Sequence, residues 1–260
     1  MTETRTALIT GASSGIGEEL ARLFAADGYR LVLVARSTDK LNELAREFLN
    51  AFKTETRVIS ADLGRPGAAA EIVAQLDGAP VDVLVNNAGF GLFGAFAETP
   101  LDKELNMIQL NVVALTHLTK LLLPAMLARK SGRVLNVAST AAFQPGPLMA
   151  VYYATKAFVL SLSEALAEEL RGTGVTVTCL CPGVTKTEFQ QVAGVEDLTL
   201  NVGPLAMSAQ AVAEAAYAGM AKGKRLVVPG VHNKIGAQSV RVSPRGLVLR
   251  LVRRLHKSSH

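Results

Sequence analysis

Seven short runs of Val, Ile, Leu and Thr alternate along this chain with helical patterns, and few folds are open to a sequence with that rhythm. The runs fall at 6–10, 30–35, 57–60, 81–85, 133–137, 175–180 and 226–228. The helical patterns fall at 16–26, 40–52, 68–75, 101–129, 152–170 and 209–220. Nearly continuous apolar strands indicate burial on both faces, and strand–helix–strand repetition indicates a parallel sheet covered by helices on each side. No linker, internal repeat or low-complexity tract breaks the rhythm. The 260 residues therefore read as one α/β domain over 1–243, followed by a basic tail over 244–260.

With 49% apolar residues the chain can bury a sizeable core, which excludes disorder. Its two cysteines, Cys179 and Cys181, are too close in sequence for a useful bridge, so the expectation is two reduced thiols in a cytoplasmic protein. Met1 to Arg5 run straight into Ala7-Leu8-Ile9, with no apolar stretch long enough for a signal peptide. The most apolar helical candidate, 115–127, is interrupted by His117, Lys120 and Pro124, and no uninterrupted run reaches the roughly 18–20 residues of a membrane span. The histidines show no metal-ligand spacing, so no metal is expected.

Directly after the first strand stands Thr10-Gly11-Ala12-Ser13-Ser14-Gly15-Ile16-Gly17, opening into a helix. Glycines at a strand-to-helix turn permit positive φ and let backbone N–H groups and the helix N-terminus approach a diphosphate. The second strand ends at Ala35-Arg36-Ser37, where a dinucleotide's ribose would lie. An acidic residue there bonds the 2′-hydroxyl of NAD, whereas a cation suits the 2′-phosphate of NADP. Arg36, with Lys40 as a second cation, points to NADP(H); Asp39 nearby keeps NAD(H) open.

Further along, Tyr152-Tyr153-Ala154-Thr155-Lys156 places a phenol and an ammonium at i and i+4, on one helix face. A phenol ordinarily titrates near 10, and a neighbouring ammonium together with a cationic ring is expected to draw that value down.

Taken together, these motifs resemble the short-chain dehydrogenase/reductase family over roughly residues 6–230. The resemblance implies a Rossmann-type, doubly wound parallel sheet of order 3-2-1-4-5-6-7. It makes Gly11, Ser13, Ser14, Gly15, Ile16 and Gly17 the cofactor loop, Arg36 the phosphate contact, and Asp62 and Leu63 the adenine contacts. Asn87, Ala88 and Gly89 resemble the structural motif after the fourth strand. Pro182, Gly183, Thr185 and Thr187 resemble the segment that closes on the nicotinamide and cofactor phosphates. Asn111, Ser139, Tyr152 and Lys156 resemble the catalytic tetrad, with Ser139 thirteen residues before the tyrosine. In that likeness Tyr152 is the general acid/base, Ser139 polarises the carbonyl oxygen, Lys156 holds the nicotinamide ribose, and Asn111 positions a water beside the lysine. Two departures stand out. Ser14 occupies a position where some NADPH-preferring relatives have a basic residue, and Ala138 one where relatives often have a second serine. The resemblance also implies a homo-dimer or homo-tetramer through helices 101–129 and 152–170.

Phe90 to Gly94, Phe143-Gln144-Pro145 and residues 189–207 are expected to line the substrate pocket, and their apolar character favours a hydrophobic aldehyde, ketone or secondary alcohol, lipid- or steroid-like. Glu188, Glu196 and Asp197 would repel an anionic head group if they face it. A non-catalytic NADP(H)-binding redox sensor is the alternative, disfavoured by the intact tetrad. Ten of the 27 Lys and Arg residues lie after Met220, where there is no Asp or Glu, so the tail is strongly basic. In it, Arg250, Arg253, Arg254 and Lys257 form one stripe and Leu247, Val248, Leu251, Val252 and Leu255 another. Such a helix either docks its apolar face on the domain or a neighbouring subunit, or lies as a peripheral element on a membrane surface through 244–257. Few aromatics and no separate module argue against nucleic acid.

Overall fold

The computed structural model describes residues 4–189, 193–194 and 206–256. Its strands are β1 (Thr6–Thr10), β2 (Arg30–Ala35), β3 (Thr56–Ser60), β4 (Val83–Asn86), β5 (Gly132–Val137), β6 (Val175–Leu180), β7 (Thr185–Lys186), β8 (Met207–Ser208) and β9 (Leu226–Val227). Seven of them form one parallel sheet in the order β3-β2-β1-β4-β5-β6-β9, with β7 and β8 as a separate pair. This is the doubly wound sheet expected from the alternation, its last strand shortened to two residues.

Successive strand residues explain why the runs are apolar throughout. Ala7 and Ile9 of β1, Leu31 and Leu33 of β2, and Val83 and Val85 of β4 enter one core. It is completed by Leu20 and Phe24 of α1 (Gly15–Ala26), Leu41, Leu44 and Phe48 of α2 (Thr38–Phe52), and Val212 and Ala216 of a later helix. The intervening Leu8, Val32, Val34 and Leu84 enter the opposite core with Ile72 of α3 (Ala68–Ala74). With side chains alternating across a strand, both faces are covered, and most inner positions are apolar.

The stretch expected as one helix over 101–129 is three segments: α4 (Leu101–Ile108), a π-helical turn (Gln109–Ala114) and α5 (Leu115–Ala128). By length and composition alone Leu101–Ala128 would suffice to cross a membrane, although its apolar run is interrupted as the sequence showed. In the fold one side of it is buried, through Met107, Leu115, Leu118, Leu122 and Met126. On the sheet face beneath it, Asn86 donates to Asn136 Oδ1 (2.8 Å) and Thr119 Oγ1 (3.0 Å), and Asn136 donates to Ser163 Oγ (2.9 Å). This buried polar chain pins β4 and β5 to α5 and to α6 (Ala150–Glu169), the helix that carries Tyr152 and Lys156.

Three helices follow: α7 (Ala209–Ala221), α8 (Val231–Val242) and α9 (Arg245–Leu255). The sequence reading did not anticipate α8. Among its residues only Ala237 is buried, so it shows no core-facing period.

Candidate functional site

The strand order reverses between β1 and β4, and ligands of open parallel sheets bind at the carboxyl ends beside such a switch point. Here a cavity of about 1030 Å³ runs along those ends. Gly11 follows β1, Arg36 β2, Asp62 and Leu63 β3, Asn87 β4, Ser139 β5 and Pro182 β6, and all of them line it.

At one end lies the glycine loop. Gly11 (φ +63°) and Gly15 (φ +58°) have backbones in the left-handed region, where a side chain is strained. Gly17 sits beneath the loop: a Cβ there would be 2.2 Å from Gly11 O and 2.4 Å from Asn87 Nδ2. Asn87 Nδ2 donates to Thr10 O and Gly11 O, both at 3.0 Å, while the backbone N–H groups of Asn87 and Ala88 donate to Thr10 Oγ1. The segment after β4 thereby fixes the loop after β1. Ser13, Ser14 and Ile16, at the entry to α1, also line the cavity, and the helix's first N–H groups suit a diphosphate.

Arg36 is exposed on the cavity wall, with no carboxylate in salt-bridge range among the described residues. Lys40, expected as a second cation, is paired with Glu188 (3.0 Å), and that contact holds the Glu188 carboxyl below its ordinary value. Glu188 therefore belongs to the loop end, beside Lys40 and Ser14, and does not guard the substrate pocket as the sequence reading allowed. Glu196 and Asp197 lie outside the described residues. Asp62 Oδ1 accepts from Gly64 N (2.9 Å), and Asn106 Nδ2 donates to Gly64 O (3.0 Å), which brings α4 and Lys103 to this wall. Gly89, Gly183, Thr185 and Thr187 complete the lining between the two ends.

At the other end Tyr152 and Lys156 point into the cavity from one face of α6, and Ser139 reaches it from the turn after β5. The Ser139 hydroxyl lies beside the Tyr152 phenol and acts on it. Burial pushes that phenol up to about 12, with Ser139 pulling the other way. The lowering expected from the ammonium together with a cationic nicotinamide ring belongs to the cofactor complex; in the protein alone burial dominates, and Lys156 Nζ lies 5.8 Å from the Tyr152 ring centre and donates to Val137 O (2.9 Å). Lys156 is itself drawn down to about 8 by burial.

Asn111 is placed differently from its three partners. The π-turn carries it, buried, behind the wall, where Nδ2 donates to Phe90 O (2.9 Å) and Thr155 Oγ1 (3.1 Å) and Oδ1 accepts from Phe90 N (3.1 Å). A Cβ on Gly89 would lie 2.9 Å from Asn111 Oδ1 and 3.5 Å from Lys156 Nζ, so the two groups flank the same small space. A π-turn at such a point is a common functional device.

Around Tyr152 the walls are apolar. Phe90, Leu92, Met149 and Phe189 line the cavity there; Phe143 and Pro145 do not, and of that expected segment only Gln144 does. A Cβ on Gly91 would approach Phe189 to 2.9 Å and Tyr152 to 3.3 Å, so the glycine lets these rings close together. Sequence reasoning missed the far wall, built by Val252, Leu255 and His256 from the C-terminal helix. His256 is buried, its Nδ1 2.8 Å from Pro147 O and its Nε2 3.0 Å from the Tyr153 hydroxyl. A carbonyl only accepts, so Nδ1–H donates to Pro147 and Nε2 accepts from Tyr153. Its place four residues after Val252, on the side away from the arginines, was the available signal.

Of the residues that the resemblance assigns to cofactor binding and catalysis, all but Gly17 and Asn111 line this one cavity. A glycine cradle at a strand-to-helix turn, a free guanidinium after β2 and a Ser–Tyr–Lys group at the apolar end together fit a nicotinamide dinucleotide and define a dinucleotide-binding α/β protein. Within that class the chain belongs to the short chain dehydrogenases, whose family model matches residues 5–197. A very-long-chain 3-oxoacyl-CoA reductase of Anas platyrhynchos is 37% identical over 192 residues, 72% of this chain and 62% of that protein. The human protein of the same name is 36% identical over 190 residues. The matches thus span about three fifths of these curated relatives' length. Among solved structures, a short-chain dehydrogenase from Sphingobium yanoikuyae in complex with NADPH superposes with a TM-score of 0.84 at 34% identity, covering 94% of this chain and 95% of that one. A structure described for 7beta-hydroxysteroid dehydrogenase stereoselectivity gives 0.86 at 30%, covering 95% and 96%.

Proposed function

We propose that this chain is an NADP(H)-dependent oxidoreductase that interconverts a hydrophobic aldehyde or ketone, lipid- or steroid-like, and its alcohol. The observation that carries the reading is the meeting of Ser139, Tyr152 and Lys156 at the apolar end of a cavity whose other end is the glycine loop and Arg36. Bound nicotinamide supplies or accepts the hydride. In the reducing direction the Tyr152 hydroxyl, fully protonated near neutral pH, gives its proton to the carbonyl oxygen, and the Ser139 hydroxyl orients that oxygen. Lys156 holds the ribose and returns a proton toward Tyr152, and Asn111 positions the water that serves it. Arg36 favours the 2′-phosphate of NADP(H). A purely non-catalytic sensor would leave the convergence of Ser139 and Lys156 on Tyr152 without a purpose.

The relatives named for 3-oxoacyl-CoA and hydroxysteroid chemistry support a bulky, apolar substrate, as do the walls of Phe90, Leu92, Met149 and Phe189. Exposed Leu105, Ile108, Val113, Leu121 and Phe158 on α4, the π-turn, α5 and α6 support a homo-oligomer formed through those helices. The thiols of Cys179 and Cys181, buried, unbridged and 3.8 Å apart, suit a reducing compartment such as the cytoplasm. The deciding experiment follows nicotinamide absorbance with a panel of apolar ketones and alcohols and both cofactors. Tyr152→Phe is expected to abolish turnover and leave NADPH affinity intact. Retention of more than roughly a tenth of the activity would remove Tyr152 from the acid/base role.

A further inference from the structure

Helix α9 presents three distinct sides. Val252 and His256 are buried against the cavity wall. Arg250, Arg253 and Arg254 project along a second, exposed side. Leu247, Leu251 and Leu255, spaced i, i+4 and i+8, form a third, and each keeps between 42 and 55% of its surface in water. Only part of the helix's apolar surface is therefore used in docking. Helix α8 behaves similarly: Val231, Ile235 and Val242 share the side opposite buried Ala237 and are 64–86% exposed, with Lys234 and Arg241 alongside. Exposed aliphatic rows of this kind are unusual on a monomer unless they meet something.

From these placements we infer that the α8–α9 pair is a docking face for an anionic phospholipid surface, with the leucine row entering the acyl boundary and the arginines meeting lipid phosphates. Charge selects this occupant. Residues 231–255 carry Lys234, Arg241, Arg245, Arg250, Arg253 and Arg254 and no Asp or Glu, so a second copy laid on the same face would bring like charges together. A helix with an apolar side flanked by basic residues is the form that lies in a membrane interface. The face also has a use there. Leu255 is at once half-exposed and part of the cavity wall, so the leucine row ends at the cavity's mouth. An apolar carbonyl dissolved in the bilayer can pass along that row to Tyr152 without crossing water. The inference deepens the reading of a hydrophobic substrate, and its test reads binding alone, so either can fail without the other.

The test is co-sedimentation of the full chain with phosphatidylcholine vesicles with and without phosphatidylglycerol. Each basic residue close to such a surface raises partitioning about fivefold, so R250E/R253E/R254E is expected to lower it by about a hundredfold or more. Turnover of a water-soluble ketone should stay at the wild-type level, which checks that this variant is folded. Because the chain has no Trp, Leu251→Trp places a single indole on the leucine row. Its emission should shift to the blue on anionic vesicles and be quenched by brominated acyl chains. Equal partitioning of wild type and triple variant, or an unshifted indole, overturns the inference. So does loss of a solution dimer in Leu247→Ser/Leu251→Ser without vesicle binding by the wild type, which would make this face a contact between copies.

Discussion

Lys156 is the group whose replacement tests the site's energetics most directly, because the fold keeps an ammonium where it is poorly solvated. Its side chain is 6% exposed, and burial draws its pKa from the ordinary 10.5 to about 8. At 1.36 kcal/mol per pH unit that difference is a folding penalty of about 3 kcal/mol. The sign follows from proton counting. Below pH 8 the lysine is charged both folded and unfolded, and the penalty is present in full. Between pH 8 and 10.5 the unfolded chain holds the proton that the folded one has released, so stability rises with pH and the penalty disappears. Lys156→Met keeps the length of the side chain, removes the charge and gives up the bond to Val137 O, which costs about 1–2 kcal/mol. The variant should therefore be more stable than wild type at pH 7 by about 1–2 kcal/mol, or about 3–6 °C in Tm for a domain of this size. It should also have lost its turnover. At pH 10 the advantage should vanish or reverse, leaving only the lost hydrogen bond. Tyr152, whose phenol is raised to about 12, destabilises both proteins alike as pH climbs above 10 and cancels in the comparison. Urea unfolding followed by circular dichroism at the two pH values measures the difference. A Met variant less stable at pH 7, or a difference that does not change with pH, would refute the claim that the site spends folding stability to hold this lysine.

Three other comparisons probe separate parts of the site. Arg36→Ala should weaken NADPH binding about 10–100-fold by calorimetry and leave NADH unchanged, as expected for the loss of one charge-assisted contact to a 2′-phosphate; an equal effect on both cofactors would detach Arg36 from phosphate recognition. Gly17→Ala forces a Cβ to within 2.2 Å of Gly11 O, so cofactor binding should be lost and Tm should fall, whereas Gly28→Ala, with nothing within 4 Å, should cost only the strain of its positive φ and leave binding intact. His256→Ala removes both bonds that tie the C-terminal helix to Pro147 and Tyr153, and amide exchange over 245–255 should rise selectively while the sheet stays protected; unchanged exchange would mean that Val252 alone holds the helix.

How far the chain could be read in advance depended on whether the cause of each feature was local. The sheet was legible because a strand covered on both faces is apolar at most of its inner positions, and Leu8, Val32 and Leu84 stand between the residues of the first core for that reason. The glycine loop, Arg36 and the Tyr152–Lys156 pair were legible because each stands in a local motif, and the resemblance of those motifs in order to one family gave them their meaning. The break at Gln109–Ala114 was not, since the residue that needs it, Asn111, bonds Phe90, twenty-one positions away in sequence. Helix α8 was missed for the opposite reason: its apolar residues face outward, so it has no period against the core, and what hid it from the sequence reading is also what leaves Val231, Ile235 and Val242 in need of a partner. The lowering of the Tyr152 pKa expected from the ammonium and a cationic nicotinamide ring is opposed by a burial that was not legible. Sequence places the ammonium near the phenol, but only the packing of Phe189, Tyr153 and the β5 turn around the ring determines how dry it is, and dryness is the larger effect.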